Sequence, residues 1–448
     1  MTSSLSSPIK KNGIFRRCLL VIIVSVLTFN PSFSQRKIRN HFFKQRSFEK
    51  YLYATMPEFK ALLDSPSVYR TQIYFSKITR DKNGKVKFTD YHFKKHDLYY
   101  YPASCVKLPV IINALVKFNG RKLSLQNKLF IQDSTYCGFA GQTEIQNGWY
   151  FKDYIKRMLV VSNNICFNPI FDFISKHNCK SPFSNTPTIY QRFNFHCNDS
   201  SLYKSYPFVV KDDSGKIIYS EPMKEYDYQN FLDTSWAKAG LRYLNNKDSL
   251  INHPKSFSKS NFYDLIRLHE IIKNITADEF VFIENENRNF LLKYMSIYPS
   301  ECRHPAYDSK EYPDNWGKYL LIGDDTNFHK SIPIQQLPTL SIGEGKGEVI
   351  KEKLLNWNDD SIRIFNKVGM AYGFLTDCAY IVDYKNQVEF IVSASVFVDR
   401  DGTLNDGKYA YKEIGLPFLG KLGRVLMQHE LKHKRKSKFA AQRIEYTD

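Results

Sequence analysis

The chain has 448 residues, of which 43% are hydrophobic and 15% aromatic, including 34 Phe and 30 Tyr. This composition excludes an intrinsically disordered, collagen-like or low-complexity protein, and the length allows one large domain or a few smaller ones. The formal net charge is +19, from 64 Lys and Arg against 45 Asp and Glu, which is compatible with anionic partners but identifies none.

The first forty residues have the order of segments found in an export signal. Basic residues between positions 10 and 17 precede an apolar run over residues 18–29, and serines flank Phe33 just before Gln35. The run is shorter than a membrane-spanning helix, so we expect a signal peptide over residues 1–34 and a mature chain that begins at Gln35. The alternative is an uncleaved anchor. A cleaved signal predicts a secreted or periplasmic protein without stable membrane insertion.

The N-terminal part of the mature chain alternates between helical and strand patterns. In chain order we predict a helix over 48–63, strands over 68–79 and 86–93, and helices over 106–120, 154–161 and 165–174. The sequence Asp-Lys-Asn-Gly at 81–84 is typical of a hairpin turn between the two strands.

Residues 180–256 differ from the rest because they are rich in Ser, Asn, Asp, Tyr and Pro and have weak periodicity. An unstructured loop of this length is unusual inside a compact domain, so we predict an insertion with short elements of its own. The elements after it are predicted as a helix over 262–272, strands over 362–368, 378–383 and 388–398, and a closing helix from Gly415 that becomes basic after Lys432.

Strands near both ends of the chain, with helices between them, predict an α+β fold in a single domain over residues 35–448. We expect an antiparallel sheet of about five strands, flanked by helices and contributed by residues 35–103 and 355–448. The remaining residues, 104–354, are predicted to form an inserted, mainly helical lobe that includes the elaborated insertion.

Ser104 and Lys107 lie three residues apart at the start of the apolar helix, in the sequence Tyr-Pro-Ala-Ser-Cys-Val-Lys. This spacing places both side chains on one face, one turn apart. Because burial lowers the pKa of a lysine, Lys107 is a candidate acceptor for the hydroxyl proton of Ser104. The alternative is that the spacing arises by chance, since Ser and Lys are common residues.

Two further motifs follow in the chain. Ser-Asn-Asn at 162–164 separates two predicted helices, and Lys-Val-Gly at 367–369 ends a predicted strand. In this order the three segments resemble the S-x-x-K, S-x-N and K-T-G motifs of penicillin-recognising serine enzymes, the class A β-lactamases and their penicillin-binding relatives. The resemblance extends over most of the mature chain apart from residues 180–256 and about 275–350, and it implies the β-lactamase/transpeptidase-like fold.

The resemblance implies catalytic roles for five side chains. Ser104 would be the acylated nucleophile and Lys107 its proton acceptor. Ser162 would pass the proton to the leaving nitrogen, while Asn164 would bind the substrate amide and Lys107. Lys367 would supply positive charge beside Ser162 and the substrate carboxylate.

The third motif also implies backbone roles. The N–H groups of Ser104 and Met370 would form the oxyanion hole, and Gly369 would leave space for the substrate beside the strand. No metal and no organic cofactor is implied.

Three departures from the family pattern bear on the activity. Val368 replaces the hydroxyl residue of K-T-G, and neither Lys nor Arg occurs between Met370 and Tyr384, where many class A enzymes have a carboxylate-binding arginine. No E-x-x-L-N follows Asn164, although this motif supplies the glutamate that activates water for deacylation. The acidic residues in the corresponding stretch are Glu221, Glu225, Asp227 and Asp233, with Asn230 nearby, and none has the required spacing.

Three other motif matches are weaker. His429–His433 matches the zinc-binding pattern H-E-x-x-H, but it runs into a basic tail, so we prefer a solvated helix. Tyr243–Asn245 matches the Y-x-N variant of the second motif, but it lies in the insertion, so we prefer Ser162. The glycine-rich segment 343–347 lacks the ending of a phosphate-binding loop, so we interpret it as a surface turn.

The resemblance implies an exported serine acyl-hydrolase that forms an acyl-enzyme at Ser104. Hydrolysis of a β-lactam amide is the first expectation. A peptidoglycan D,D-peptidase or another amide or ester hydrolase of the superfamily is the alternative, and a wall-binding protein with an inactive site is the third. We expect a monomer whose partner is a small-molecule β-lactam or a cell-wall peptide, with no nucleic acid.

Overall fold

The computed structural model describes residues 46–93, 98–133, 147–174, 178–180, 187–189, 204–225, 237–258, 260–277, 283–324 and 361–433. The predicted signal peptide, the acidic candidates Asp227 and Asp233, Asn230 and the glycine-rich segment 343–347 lie outside these residues.

A five-stranded sheet forms the centre of the fold. Its strands are β1 (Gln72–Arg80), β2 (Val86–Phe93), β3 (Ile362–Ala371), β4 (Phe374–Asp383) and β5 (Val388–Phe397). They lie in the order β3-β4-β5-β1-β2, and every neighbouring pair is antiparallel. Strands from both ends of the chain therefore share one sheet, the predicted α+β fold is confirmed, and β3 is an edge strand.

The hairpin between β1 and β2 forms where the sequence predicts it. The side chain of Asp81 accepts hydrogen bonds from the backbone N–H groups of Asn83, at 2.9 Å, and Lys85, at 3.0 Å. Gly84 has a φ of 79°, a conformation that glycine adopts without steric cost.

Helices cover one face of the sheet and form the second lobe. They are α1 (Lys107–Arg121), α2 (Phe151–Val160), α3 (Asn164–Ile174), α4 (Leu265–Ala277) and α5 (Asn285–Ser296). Helix α1 is buried on most of its surface, including Leu108, Ile111 and Phe118, and it packs against α3. The buried start of α1 carries the Ser104 motif into the contact between the lobe and the sheet.

The opposite face of the sheet packs against α6 (Leu416–Lys432) and a helix over residues 46–55. Phe59 and Phe418 make an edge-to-face contact there, with ring centroids 5.4 Å apart. The hydroxyl of Tyr51 donates a 2.6 Å hydrogen bond to the carbonyl oxygen of Val425. Both chain ends therefore contribute helices as well as strands to this layer.

The first predicted elements are shorter in the structure than the sequence pattern indicates. The helix predicted over 48–63 is interrupted at Pro57, whose ring nitrogen has no N–H to continue a helix. A 3₁₀ turn (Pro57–Phe59) and a short helix (Lys60–Asp64) complete the segment. The strand predicted over 68–79 begins only at Gln72, because Pro66–Tyr69 forms another short helix.

The insertion contains short strands, as predicted, joined by turns. Those described between residues 180 and 256 are Pro187–Ile189, Lys204–Ser205, Phe208–Lys211, Ile217–Glu221, Lys224–Glu225, Lys238–Ala239, Arg242–Leu244, Leu250–Ile251 and Lys255–Ser256. Further short elements are the strands Lys128–Ile131, Trp149–Tyr150, Asn178–Lys180 and Thr403–Leu404, the turns Pro299–Glu301 and Tyr411–Gly415, and the helix Tyr319–Ile322. Within the described residues, none of the helices has the length and apolarity needed to span a membrane.

Candidate active site

Ser104 lies in a single 3₁₀ turn, Ala103–Val106, that leads directly into α1 at Lys107. Three-residue spacing across such a turn brings the two side chains together. The ammonium group of Lys107 donates a 2.8 Å hydrogen bond to Ser104 Oγ. The predicted pairing of the first motif is therefore present in the structure.

Lys107 is fully buried and lies at the centre of the site. Besides Ser104, its Nζ atom donates to Ser162 Oγ at 3.1 Å, to the carbonyl oxygen of Ser162, and to Asn164 Oδ1 at 2.6 Å. Desolvation, with a smaller contribution from the charge of Lys367, holds the pKa of Lys107 well below its usual value. A lysine in this environment is able to be neutral and accept a proton near neutral pH.

Ser162 lies at the break between α2 and α3 with a φ of 59°, a left-handed conformation that costs a non-glycine residue free energy. The next residue explains part of the break, because Asn163 Oδ1 accepts a 2.9 Å hydrogen bond from the N–H of Cys166 in the first turn of α3. The strained turn directs Ser162 Oγ toward both lysines. The capping role of Asn163 was not predicted, although Asn before a helix is a known cap signal.

Lys367 comes from the edge strand β3 and is only 2% exposed. Its Nζ atom donates to Ser162 Oγ at 2.8 Å and to the carbonyl oxygen of Val368 at 2.9 Å. Burial lowers its pKa to about 8. Since Ser162 Oγ accepts hydrogen bonds from two lysines, its own proton is free to be donated toward a substrate.

Gly369 allows the turn that contains Ser104 to approach β3 closely. A Cβ atom at this position would lie 2.1 Å from the carbonyl oxygen of Pro102 and 3.0 Å from the backbone nitrogen of Cys105. The reason for the glycine is therefore contact with the nucleophile turn, in addition to the substrate space that the family resemblance implies. The next residue, Met370, is 41% exposed at the free edge of the sheet.

A buried polar network supports β3 from the other face. Asn366 donates a 2.8 Å hydrogen bond to Asp377 on β4, and Lys318 donates to Asn366 Oδ1 at 3.0 Å. Desolvation lowers the pKa of Lys318 to about 7 and raises that of Asp377 to about 6. This network was not predicted, although a polar Asn and Asp within otherwise aliphatic strands are a signal for it.

Glu221, one of the acidic residues without the required spacing, is paired with lysines in the structure. Its carboxylate binds Lys117 at 2.6 Å and also pairs with Lys224. Desolvation raises the pKa of Glu221, but the hydrogen bonds together outweigh it and lower the pKa to about 2. Lys117 is ten residues beyond Lys107 on α1, about 15 Å along the helix axis. Glu225 is exposed on a two-residue strand paired with Lys204–Ser205.

Neither of the two weaker motif matches that the structure describes takes the role that its motif suggests. In the H-E-x-x-H segment, the rings of His429 and His433 stack with centroids 4.2 Å apart. Among the described residues, no group of His, Cys, Asp and Glu side chains is arranged to hold a metal ion. Tyr243 lies in a short strand of the insertion, Arg242–Leu244, beside His253.

We expect Gly369→Ala to destabilise the protein by at least about 1–3 kcal/mol and to impair acylation, because the new methyl group overlaps backbone atoms of the nucleophile turn. Gly120→Ala is the matched control, since a Cβ atom there meets nothing within 4 Å on the last turn of α1. Urea unfolding and acylation by a penicillin measure the two effects. Equal stability and acylation in both variants would contradict the close contact.

We expect the acylation rate to fall as the pH rises through about 8, because Lys367 then loses the charge that binds Ser162 and a substrate carboxylate. Lys367→Arg keeps its charge throughout this range, so the falling limb should move to higher pH. The measurement is the second-order acylation rate between about pH 6 and 10. If the falling limb does not move in the arginine variant, the decrease in rate is caused by titration of a group other than Lys367.

Comparison with known proteins gives a family for part of the chain. The model of the Beta-lactamase enzyme family matches residues 57–188, which include Ser104, Lys107, Ser162 and Asn164. No curated protein has a significant sequence match.

Three solved structures illustrate the distant similarity. The TLA-3 extended-spectrum beta-lactamase is 11% identical over 87% of this chain and 99% of its own, with a TM-score of 0.39. PBP-A is 11% identical over 83% of this chain and 97% of its own, with a TM-score of 0.39. A class A beta-lactamase from Mycobacterium abscessus is 12% identical over 83% and 98%, also with a TM-score of 0.39.

Structural similarities this distant do not identify a family, which depends instead on the family match and on the arrangement of the motifs. The matched segment contains the first two motifs, and the fold brings the third to the same site on the edge strand. Residues 57–188 therefore match the Beta-lactamase enzyme family, and the chain brings three motifs like those of β-lactamases and penicillin-binding proteins together in one site.

Proposed function

We propose that the protein is an exported serine acyl-hydrolase of the class A β-lactamase type, which opens β-lactam amides through an acyl-enzyme at Ser104. One observation supports this more than any other. The buried Nζ atom of Lys107 donates hydrogen bonds to the hydroxyls of Ser104 and Ser162, and Lys367 donates to the same Ser162 hydroxyl. A nucleophile, a base and a proton carrier are thus connected.

In the proposed acylation step, neutral Lys107 takes the proton of Ser104 while Oγ attacks the carbonyl carbon. The backbone N–H groups of Ser104 and Met370 bind the oxygen as it becomes negative. The hydroxyl proton of Ser162 then moves to the leaving nitrogen as the C–N bond breaks, and the proton on Lys107 replaces it. The products are a serine ester and a neutral lysine, so the protons balance.

Substrate binding involves the remaining motif residues. Asn164 holds the substrate amide while its Oδ1 atom anchors Lys107, and Lys367 attracts the substrate carboxylate. Val368 has no hydroxyl to donate a hydrogen bond to that carboxylate. Loss of one charge-assisted hydrogen bond weakens substrate capture by roughly 1–3 kcal/mol.

We expect turnover of penicillins and cephalosporins to be slow, with the acyl-enzyme as the accumulating species. Acylation has its groups in place, whereas the two described candidates for a deacylating base lie elsewhere, Glu221 in ion pairs with two lysines and Glu225 on an exposed strand. General-base assistance is typically worth about 10²–10⁴ in rate. Stopped-flow turnover of a chromogenic cephalosporin, with the acylated fraction measured by mass, tests this expectation. Fast turnover without an adduct would contradict it.

A D,D-peptidase acting on cell-wall peptides is the second candidate. The missing deacylation motif and the absence of a basic residue between Met370 and Tyr384 favour it over an efficient β-lactamase. The lifetime of a fluorescent penicillin label separates the two, because a peptidase keeps the label for longer. Absence of any label would support the third possibility, a wall-binding protein with an inactive site.

The proposal includes export and a monomeric enzyme without metal or organic cofactor. Its basis for export is the order of basic, apolar and small residues over positions 10–34. N-terminal sequencing of the mature protein should begin at Gln35. An intact N-terminus in the membrane fraction would indicate an anchor.

A further inference from the structure

Lys255 lies among three aromatic rings that belong to different parts of the chain. Its Nζ atom is 4.8 Å from the ring centroid of Tyr243, 5.4 Å from that of Tyr372 and 6.0 Å from that of Phe257. The three rings make cation–π contacts with the ammonium group of this half-buried lysine.

The positive charge of Lys255 is not neutralised by the described chain. Within the described residues, none of the carboxylates lies within ion-pair distance of its ammonium group. Desolvation lowers the pKa of Lys255, and no carboxylate offsets that effect. This surface is therefore suited to an anion.

The aromatic rings connect Lys255 to the nucleophile turn. Phe257 packs against Tyr101, with ring centroids 5.3 Å apart, and Tyr101 packs against Tyr372 at 5.5 Å. Tyr101 precedes Ser104 by three residues, and Tyr372 follows Met370 by two, in the turn that joins β3 to β4. The cluster thus adjoins the end of β3 beyond the proposed oxyanion hole.

The two substrate contacts proposed for the active site define how a substrate is oriented along β3. With its carboxylate at Lys367 and its carbonyl oxygen at the N–H of Met370, a substrate lying along β3 extends its acyl side chain toward Tyr372. We propose that Lys255, with Tyr243, Phe257 and Tyr372, forms a subsite that selects acyl donors with a carboxylate on the acyl side chain. This inference rests on the proposed function of Ser104.

The experiment compares benzylpenicillin with α-carboxybenzylpenicillin, which differs from it by one carboxylate on the acyl side chain. Lys255→Met should lower the second-order acylation rate of the carboxylated compound about tenfold more than that of the neutral one, because a charged hydrogen bond is lost. Lys255→Arg should retain the preference. Lys247→Met, an exposed lysine in the neighbouring hairpin, is the control that should leave both rates unchanged.

Two further outcomes make the test decisive. Equal reduction of both rates by Lys255→Met would show that the lysine only supports the local structure, and would overturn the subsite. Calorimetric binding of both compounds to the Ser104→Ala chain measures the subsite without acylation, and the carboxylated compound should bind more tightly only while Lys255 is present. Failure of both compounds to acylate the unaltered chain would overturn the proposed function, whereas equal binding constants in calorimetry would overturn the subsite.

Discussion

Ser104→Ala is expected to abolish covalent labelling by a fluorescent penicillin and to lower any hydrolysis by about 10³-fold or more. The reason is that no other hydroxyl takes the place of Oγ at the start of α1. Lys107 keeps its contacts with Ser162 and Asn164 when Ser104 is replaced. The free energy of unfolding should therefore change by only about 1 kcal/mol or less.

The measurement is gel fluorescence after incubation with the labelled penicillin, together with urea unfolding of the same samples. Cysteine at position 104 is a useful second variant, because it keeps a nucleophile of similar size and should retain slow labelling. Labelling of the alanine variant at the unaltered rate would show that another residue is acylated.

Lys107→Met is expected to reduce the acylation rate by about 10²–10⁴-fold, the usual contribution of a general base. Methionine has a similar length but no group that accepts a proton. The substitution also leaves two buried acceptors without this donor, because the carbonyl oxygen of Ser162 and Asn164 Oδ1 each lose the hydrogen bond from Lys107. We therefore expect a loss of stability of about 1–3 kcal/mol as well.

Lys273→Met distinguishes these two consequences. Lys273 is also largely buried on a helix, but it pairs with Asp90 and Glu270 away from the motif residues. Its replacement should cost stability while acylation remains unchanged. Comparable acylation by the Lys107 and Lys273 variants would remove Lys107 from the mechanism.

The positions of the motif residues were largely predictable from the sequence. Ser104 and Lys107 are three residues apart, so local helical geometry brings them together. Ser162 and Lys367 are separated by 205 residues, and the spacing contains no information about their 2.8 Å contact. Only the order of the three motifs in a known family predicts it.

Other features depend on tertiary contacts that a local pattern does not contain. The interruption of the first helix can be predicted from Pro57 in the sequence. The start of β1, in contrast, depends on the short helix that Pro66–Tyr69 forms before it. Gly369 is constrained by the carbonyl oxygen of Pro102, which is distant in the chain. The aromatic contacts of Lys255 likewise join an irregular insertion to the turn after β3, and periodicity predicts neither partner.

Intact-mass spectrometry of the full mature chain during incubation with benzylpenicillin tests the central claim most directly. Opening of the β-lactam ring releases no leaving group from the molecule, so the chain should gain the full mass of one penicillin. Peptide mapping should place this mass on Ser104, and the adduct should decay slowly. Absence of the mass gain, or an adduct on a residue other than Ser104, would contradict the assignment of Ser104 as the acylated nucleophile.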